Sequence, residues 1–199
     1  MTEPFMDGTS FFLRPVCRDD YTDHYLGWIN DQTVTRFLSR GIYPVTLEDQ
    51  VEDFEALRNS TDDVEFCIVE KEDNRPVGLV GLHGFQWVYR SAEFRILIGD
   101  RRFWGKGIGT EAAQLLCAYG FETLNLNKVW LGVSAGNKGA VRSYEKAGFT
   151  QEGALRQEIY RNGRYYDVVR MSLLRSEYEV VSKTWPIHDL IDRQFRASD

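Results

Sequence analysis

The fold of this chain is decided by the stretch Arg102-Phe103-Trp104-Gly105-Lys106-Gly107-Ile108-Gly109-Thr110. It lies between a strand-like run (residues 92–99) and a helix-like run (residues 111–120). A glycine-dense turn that opens a helix lets backbone N–H groups converge on an anion without interference from Cβ atoms, and the helix dipole adds positive potential there. The stretch therefore predicts a binding site for a phosphate or pyrophosphate.

The spacing of the glycines excludes two common phosphate-binding loops. A P-loop has the pattern G-x-x-x-x-G-K-[ST], whereas here Gly107 follows Lys106, so the metal-binding hydroxyl is missing, and Gly99 lies one residue too far away. A dinucleotide fingerprint has the pattern G-x-G-x-x-G/A, but Gly105 leads to Thr110 at the last position, and no βαβ unit opens the chain. The pattern that remains is R-x-x-G-x-G.

The composition is that of an ordinary globular protein. The chain has 199 residues, of which 43% are hydrophobic, enough for one domain with its own core. No apolar run approaches the roughly 20 residues of a membrane span, and residues 1–10 lack the layout of a signal peptide. The cysteines and histidines are scattered: Cys17, Cys67, Cys117, His24, His83 and His188. These features predict a cytoplasmic protein with reduced thiols, no metal site and no membrane partner.

The charge of the chain is acidic overall but unevenly distributed. The net charge is −6 and the pI is about 5.2, which argues against nucleic acid as a partner. Residues 46–75 hold eleven acidic residues against three basic ones, whereas residues 95–106 hold four basic residues against one acidic residue. An anion site beside an acidic flank would suit a polyanionic cofactor and a cationic amine. A solvated helix face explains the acidic run equally well.

Periodicity and turn residues predict a single mixed α/β domain in the order β-α-α-β-β-β-α-β-α-β-β. Asn162-Gly163 between the last two predicted strands is a strong hairpin signal. Residues 30–45 form a long polar and aromatic connection. Long connections of this kind often line a binding pocket. The tail after Arg175 has a poor pattern that could add one helix.

Capping residues mark the predicted helices. Asp19 or Asp20 is expected to cap the first helix, and Thr46 the second. Asn137 is expected to cap a short later helix that Gly148 ends.

The glycine loop, with the strand before it and the helix after it, resembles the pyrophosphate loop of the GNAT superfamily of acetyl-CoA-dependent N-acetyltransferases. The other segments that carry the resemblance are Trp28-Ile29-Asn30-Asp31, Ala92-Glu93-Phe94, Gly105 to Ala112, Asn137 to Phe149, and Tyr166-Asp167 after the hairpin. Together they are similar to the branch that includes ribosomal-protein alanine, spermidine and amino-sugar N-acetyltransferases. The resemblance implies a GNAT-like domain over residues 1–175 and an extension of uncertain structure over residues 176–199.

The reaction implied is acetyl transfer from acetyl-CoA to a primary amine by direct attack on the thioester, without a metal. An amine with a pKa near 10 is mostly an ammonium ion at pH 7, so a base or a water relay must take a proton. Glu93, on a polar strand face before the loop, is the candidate base, although a plain ion pair with Arg95 on the same face is the alternative. His83 is the reserve base.

Tyr144 is the candidate general acid for the departing thiolate. A phenol with a pKa of about 10 can donate a proton and exchange it with solvent. Its position four residues after Ala140 would also suit a core aromatic, but the resemblance favours the catalytic role. Asn137 is expected to contact the pantetheine arm, to cap its helix, or to do both.

The resemblance also assigns the rest of the cofactor site. The pantetheine arm is expected on main-chain groups of Ile96, Leu97 and Ile98, where neighbouring strands splay apart. The pyrophosphate is expected on Arg102, Gly105, Lys106, Gly107, Ile108, Gly109 and Thr110. The basic residues of this set, with Arg101, could instead be surface charges.

Five aromatic residues are candidates for the acceptor side: Trp28, Phe37, Tyr43, Trp87 and Tyr89. The acceptor itself stays open among polyamines, amino sugars (free or nucleotide-linked), aminoglycosides and protein N-termini, and a homodimer is left open as well. The alternative to an enzyme is a catalytically silent GNAT-like domain that binds CoA as a sensor or interaction module.

Overall fold

One eight-stranded mixed sheet organises the chain, and the computed structural model describes residues 3–196. The strands are β1 (Met6–Asp7), β2 (Phe11–Pro15), β3 (Asp63–Glu70), β4 (Arg75–Gln86), β5 (Ser91–Ile98), β6 (Lys128–Ser134), β7 (Thr150–Arg161) and β8 (Arg164–Leu174). In space they follow the order β1-β2-β3-β4-β5-β6-β8-β7, and only β5 and β6 pair in parallel. The predicted mixed α/β fold is confirmed, with β1 as an additional edge strand.

The part of the chain that the structure describes contains six α-helices. They are α1 (Leu26–Asn30), α2 (Leu47–Asn59), α3 (Ile108–Ala118), α4 (Lys138–Lys146), α5 (Arg175–Val181) and α6 (His188–Phe195). A wide π-helical turn (Asp20–Tyr25) leads into α1. Since α3 begins at Ile108, three residues before the predicted start, Gly109 and Thr110 lie in its first turn.

The capping predictions for α2 and α4 are confirmed. Thr46 Oγ1 accepts a hydrogen bond from the Asp49 backbone N–H at 3.1 Å, and the Asp49 carboxylate accepts one from the Thr46 backbone N–H at 2.8 Å. Asn137 Oδ1 accepts a hydrogen bond from the Ala140 backbone N–H at 3.1 Å. Gly148, at φ 93°, ends α4 as predicted.

The capping prediction for the first helix is wrong. No side chain caps the turn that precedes α1, and Asp20 is buried. Its carboxylate accepts hydrogen bonds from the Arg14 guanidinium at 2.6 and 2.7 Å and from the Cys17 backbone N–H at 2.8 Å. A buried carboxylate needs a partner charge, and Arg14 on β2 supplies it.

Successive side chains of β5 point to opposite faces of the sheet, and each face has its own hydrophobic core. Ala92 and Phe94 belong to the core that covers α3, whereas Leu97 packs with Tyr21 and Phe54 in a smaller core under α1 and α2. These are the α3/α4 face and the α1/α2 face of the sheet. Glu93 and Arg95 therefore lie on the α1/α2 face, since side chains alternate along a strand.

The residues after Arg175 pack against the α3/α4 face. Tyr178 and Ile191 are fully buried there, and Trp185 and Ile187 are nearly so, in the same core as α3. No helix within residues 3–196 has the length and apolar character needed to cross a bilayer.

Candidate active site

The central feature of the site is a gap between the two parallel strands. The pairing of β5 with β6 covers only three positions and ends at Glu93 with Trp130. Beyond this point residues 94–98 of β5 remain paired with β4 but not with β6. The backbone groups of residues 96–98 point alternately to β4 and to the gap, and Ile98 O accepts a hydrogen bond from Trp104 Nε1 at 2.7 Å. The other backbone groups that face the gap are free for an extended ligand that carries amides. A pantetheine arm is such a ligand.

The glycine loop lies at the open end of this gap. Gly105 and Gly107 have φ values of 73° and 88°, a left-handed conformation that only glycine adopts readily. A Cβ built on Gly105, Gly107 or Gly109 would have no heavy atom within 4 Å, so the loop surrounds open space at the N-terminus of α3. The loop therefore fits a pyrophosphate, which needs converging N–H groups and room for its oxygens.

The basic residues of the loop differ in whether a carboxylate pairs with their positive charge. Arg102 Nε donates to the Asp100 carboxylate at 3.0 Å, so Asp100 neutralises this guanidinium. Within residues 3–196 no carboxylate pairs with Arg101, which stacks on Trp104, or with Lys106. Arg101 and Lys106 therefore bring uncompensated positive charge to the loop.

Two candidate residues lie on the α3/α4 face beside the gap. The Tyr144 ring contacts the Phe94 ring edge to face, with centroids 5.9 Å apart, and Phe94 is the first residue of β5 beyond the last pair. Burial raises the pKa of Tyr144 above its ordinary value, which keeps the phenol protonated. Asn137, one residue before α4, uses its side-chain oxygen as a cap and keeps its NH₂ group for another partner.

Glu93 lies at the same level on the opposite face. Its side chain is 23% exposed and accepts a hydrogen bond from Arg95 Nε at 2.9 Å. Its cross-strand neighbour His83 is buried, with Nδ1 3.1 Å from Asp63 Oδ1, while Nε2 has no hydrogen-bond partner. Glu93 therefore presents a partly exposed carboxylate at the last strand pair before the gap.

The five aromatic candidates separate into two groups. A Cβ on Gly99, just after β5, would come within 1.9 Å of the Trp28 ring, so this ring covers the end of β5. The Phe37 ring contacts Tyr166, and both rings lie against Gly136, which follows β6. Trp28 and Phe37 thus flank the open end of the gap.

The other three aromatic candidates are exposed. Tyr43 is 80% exposed, while Trp87 and Tyr89, at 51% and 75%, lie in the turn before β5. That turn is at the end of β5 opposite to the glycine loop, so the structure does not bring Trp87 and Tyr89 to the open end of the gap.

Sequence reasoning missed one residue that shapes the acceptor side. Arg161 at the end of β7 is buried, and its guanidinium donates to backbone carbonyls of the connection between α1 and α2. The acceptors are Leu38 O at 3.1 Å, Gly41 O at 3.2 Å and Thr35 O at 3.3 Å, together with Arg40 O. No local pattern predicts a contact between residues 120 or more positions apart.

Comparison with known proteins assigns the family. Residues 10–150 match the family described as an acetyltransferase (GNAT) domain. The chain belongs to the GNAT acetyltransferases. It is 36% identical over 175 residues to the spermidine N(1)-acetyltransferase of Escherichia coli K12, which covers 86% of this chain and 90% of that relative. It is 39% identical over 107 residues to the putative ribosomal N-acetyltransferase YdaF of Bacillus subtilis, 54% of this chain and 58% of that protein.

Solved structures agree with this assignment. The crystal structure of spermidine N-acetyltransferase from Vibrio cholerae in complex with CoA and spermine has a TM-score of 0.79 and 30% sequence identity, and covers 86% of this chain and 99% of that one. This GNAT acetyltransferase is an enzyme that uses acetyl-CoA as co-substrate to acetylate an amine. The predictions of family, fold, enzyme class and co-substrate are confirmed, and nothing favours a catalytically silent domain.

Proposed function

We propose that this GNAT acetyltransferase acetylates a primary amine of a small molecule by direct attack on the thioester in the gap between β5 and β6. The observation that supports the proposal most is the pair Tyr144 and Glu93. The two residues flank the end of the gap from opposite faces of the sheet, one beside Phe94 and one at the last strand pair. An amine that enters from the α1/α2 face can therefore meet a thioester held from the α3/α4 face.

The cofactor is proposed to bind along the glycine loop and the free edge of β5. Acetyl-CoA supplies the acetyl thioester. The N–H groups of the glycine loop hold the pyrophosphate, with Lys106 and Arg101 as nearby cations. Main-chain groups of residues 96–98 hold the pantetheine arm, and the Asn137 NH₂ group donates to it. The free Cβ space at the loop glycines supports this arrangement.

Proton transfers complete the proposed reaction. The amine nitrogen attacks the carbonyl carbon, the C–S bond breaks, and the sulfur takes a proton from the Tyr144 hydroxyl. Before the attack, Glu93 takes one proton from the ammonium group, directly or through water. The nitrogen loses its second proton as the C–S bond breaks, and that proton returns to the Tyr144 oxygen through solvent. The raised pKa of Tyr144 supports its role, because a neutral phenol is needed as the donor. His83 is the reserve base.

An acceptor assay tests this function. Spermidine is named as the acceptor of similar enzymes and serves as the reference amine. We expect release of CoA from acetyl-CoA that depends on an added amine, with the N-acetylated product identified by mass spectrometry. CoA release at the same rate without any amine would contradict the proposal, as would the absence of release with every amine in a panel of polyamines, amino sugars, aminoglycosides and an alanine-led peptide.

A further inference from the structure

Three arginines on the α1/α2 face stack on aromatic rings. Arg170 Cζ lies 3.3 Å from the centroid of the Trp130 ring, Arg36 Cζ lies 4.5 Å from that of Phe37, and Arg164 Cζ lies 4.9 Å from that of Tyr166. Stacking uses the flat face of a guanidinium and leaves N–H donors at its edge for an anion. Arg164 Nε donates to the Tyr166 hydroxyl, so the terminal NH₂ groups of Arg164 are its remaining donors. The three guanidinium groups are therefore oriented donors.

Strand register places Arg170 beside the gap. Since Glu93 is level with Trp130, Arg95 two residues later is level with Gly132, and Gly132 pairs with Arg170 on β8. Arg95 and Arg170 thus lie on the two sides of the gap at one level. Gly132 has no side chain to fill the space between them.

The other two arginines lie at the mouth of the gap. The rings of Phe37 and Tyr166 contact each other and lie against Gly136, directly after β6. Arg36 and Arg164 cover these two rings, and both arginines are exposed to solvent. A ligand that reaches Glu93 through this mouth passes both guanidinium groups.

Among the described residues, no ion pair offsets the charge of Arg36 or Arg164. Within residues 3–196 the carboxylates make their ion pairs with other cations, and none lies within 4 Å of Arg36, Arg164 or Arg170. Glu93 itself pairs with Arg95. The mouth of the gap therefore carries the guanidinium groups of Arg36 and Arg164, which no ion pair among the described residues offsets. Arg170 lies near Glu152, a carboxylate whose pKa is lowered chiefly by a hydrogen bond from Lys128 and also by Arg170.

The acidic run of residues 46–75 is partly engaged elsewhere. Asp49 caps α2, Asp53 lies 3.6 Å from Arg40, and Glu55 pairs with Arg58 on the same helix. Asp63 bonds to His83, and Glu65 accepts a hydrogen bond from the Tyr21 hydroxyl. These contacts engage five of the eleven acidic residues in the run. A polycation at the mouth of the gap would meet the guanidinium groups of Arg36 and Arg164.

We propose that the acceptor is a primary amine whose body carries a phosphate, as in an amino-sugar phosphate or a nucleotide-linked amino sugar. Arg36 and Arg164 bind the phosphate at the mouth, Arg170 orients the body, and the amine reaches Glu93. Guanidinium groups bind phosphate in a bidentate manner through paired N–H donors. This inference rests on the proposed function, since it names the substrate class of the same site.

The test compares acceptors that share an amine and differ in charge. We expect kcat/KM for glucosamine 6-phosphate or for UDP-glucosamine to exceed that for glucosamine and for spermidine by at least about tenfold, the size of a charge-assisted contact. The phosphorylated acceptor with the higher kcat/KM shows whether the site prefers a phosphate monoester or a nucleotide-linked amino sugar. In the double variant Arg36→Gln/Arg164→Gln this preference should fall to within about twofold, because kcat/KM for the phosphorylated amines falls more than kcat/KM for glucosamine. The matched control is Arg193→Gln on α6, which should keep the preference.

Binding of UDP-glucosamine and of glucosamine 6-phosphate to the CoA-loaded enzyme, measured by calorimetry, separates the two proposals. One outcome is that the enzyme binds these phosphorylated amines, that the double variant binds them more weakly, and that no amine is acetylated. This outcome would overturn the proposed function and support the phosphate site. Acetylation of spermidine or glucosamine at least as efficient as that of the phosphorylated amines would overturn the inference and leave the proposed function intact. A preference for phosphorylated amines that survives in the double variant would also overturn the assignment to these arginines.

Discussion

The two faces of the sheet contribute to the gap between β5 and β6 in different ways. On the α3/α4 face the neighbouring residues come from one continuous segment, from Phe94 through the glycine loop to Phe149. On the α1/α2 face they come from distant segments: Phe37 contacts Tyr166, and Arg161 binds carbonyls 120 or more positions away. A cofactor side can thus be built by a local motif, whereas the acceptor side depends on packing between remote parts of the chain.

The largest effect is expected on the α3/α4 face, from Tyr144→Phe. The change keeps the ring contact with Phe94 and removes the proton donor, so kcat should fall roughly 100-fold while CoA affinity is retained. Because burial raises the pKa of Tyr144, the phenol should stay protonated up to and above pH 10, so its ionisation should cause no loss of activity between pH 7 and 9. Single-turnover rates and CoA titration check both points. An unchanged chemical rate would make Tyr144 a packing residue.

The second prediction concerns the glycine loop. Gly107→Val forces a branched side chain into a φ of 88° and into the open space of the loop, so CoA affinity should fall by at least about 2 kcal/mol, or about 30-fold. Gly163→Val in the β7–β8 turn, at φ 79° and with similar open space, is the matched control for backbone strain. Calorimetric titration with CoA should separate the two variants. Equal CoA affinities in the two folded variants would show that the pyrophosphate does not bind at this loop.

The third prediction tests the base on the α1/α2 face. Glu93→Gln should lower the plateau of kcat/KM about tenfold and weaken or move the limb that rises with pH, because the amide cannot take a proton. CoA affinity should not change. Glu179→Gln on α5, an exposed position, is the control. If the pH profile of Glu93→Gln matches that of the unchanged enzyme, the base lies elsewhere, and His83→Gln is the next variant to measure.

The smallest effect is expected from Arg161→Lys. An ammonium group cannot reproduce the fork of a guanidinium that binds carbonyls of Thr35, Leu38, Arg40 and Gly41, so the connection that carries Phe37 should loosen. We expect the acceptor KM to rise about threefold to fivefold, with kcat and CoA affinity nearly unchanged. Arg156→Lys, exposed on the same strand, is the control. A change in CoA affinity equal to the change in acceptor KM would contradict a separate acceptor side.

The cofactor side could be predicted because its signals are local. Glycine spacing, the N-cap Asn137 and the αL residue Gly148 each impose a conformation within a few residues, and all three are found where the sequence indicated. The start of α3 was predicted three residues too late because Gly107 and Gly109 lower the local helix propensity. The chain is nevertheless helical from Ile108.

The acceptor side could be predicted only in part. Trp28, Phe37, Trp87 and Tyr89 are all predicted as aromatic candidates for the acceptor side, but Trp87 and Tyr89 lie at the end of β5 opposite to the glycine loop. Aromatic identity does not specify which strand end a side chain approaches. The role of Arg161 depends on tertiary contacts that no spacing in the sequence reveals.

The central claim is that acetyl-CoA occupies the gap from the α3/α4 face alone, and hydrogen–deuterium exchange of the whole enzyme tests it directly. On addition of CoA we expect slower amide exchange in residues 94–98, in residues 103–111 and around Asn137, because these backbone groups receive the cofactor. Exchange in residues 21–45 on the α1/α2 face should not change. Protection of residues 21–45 by CoA, or saturation with CoA that leaves residues 94–98 and 103–111 unprotected, would contradict the account.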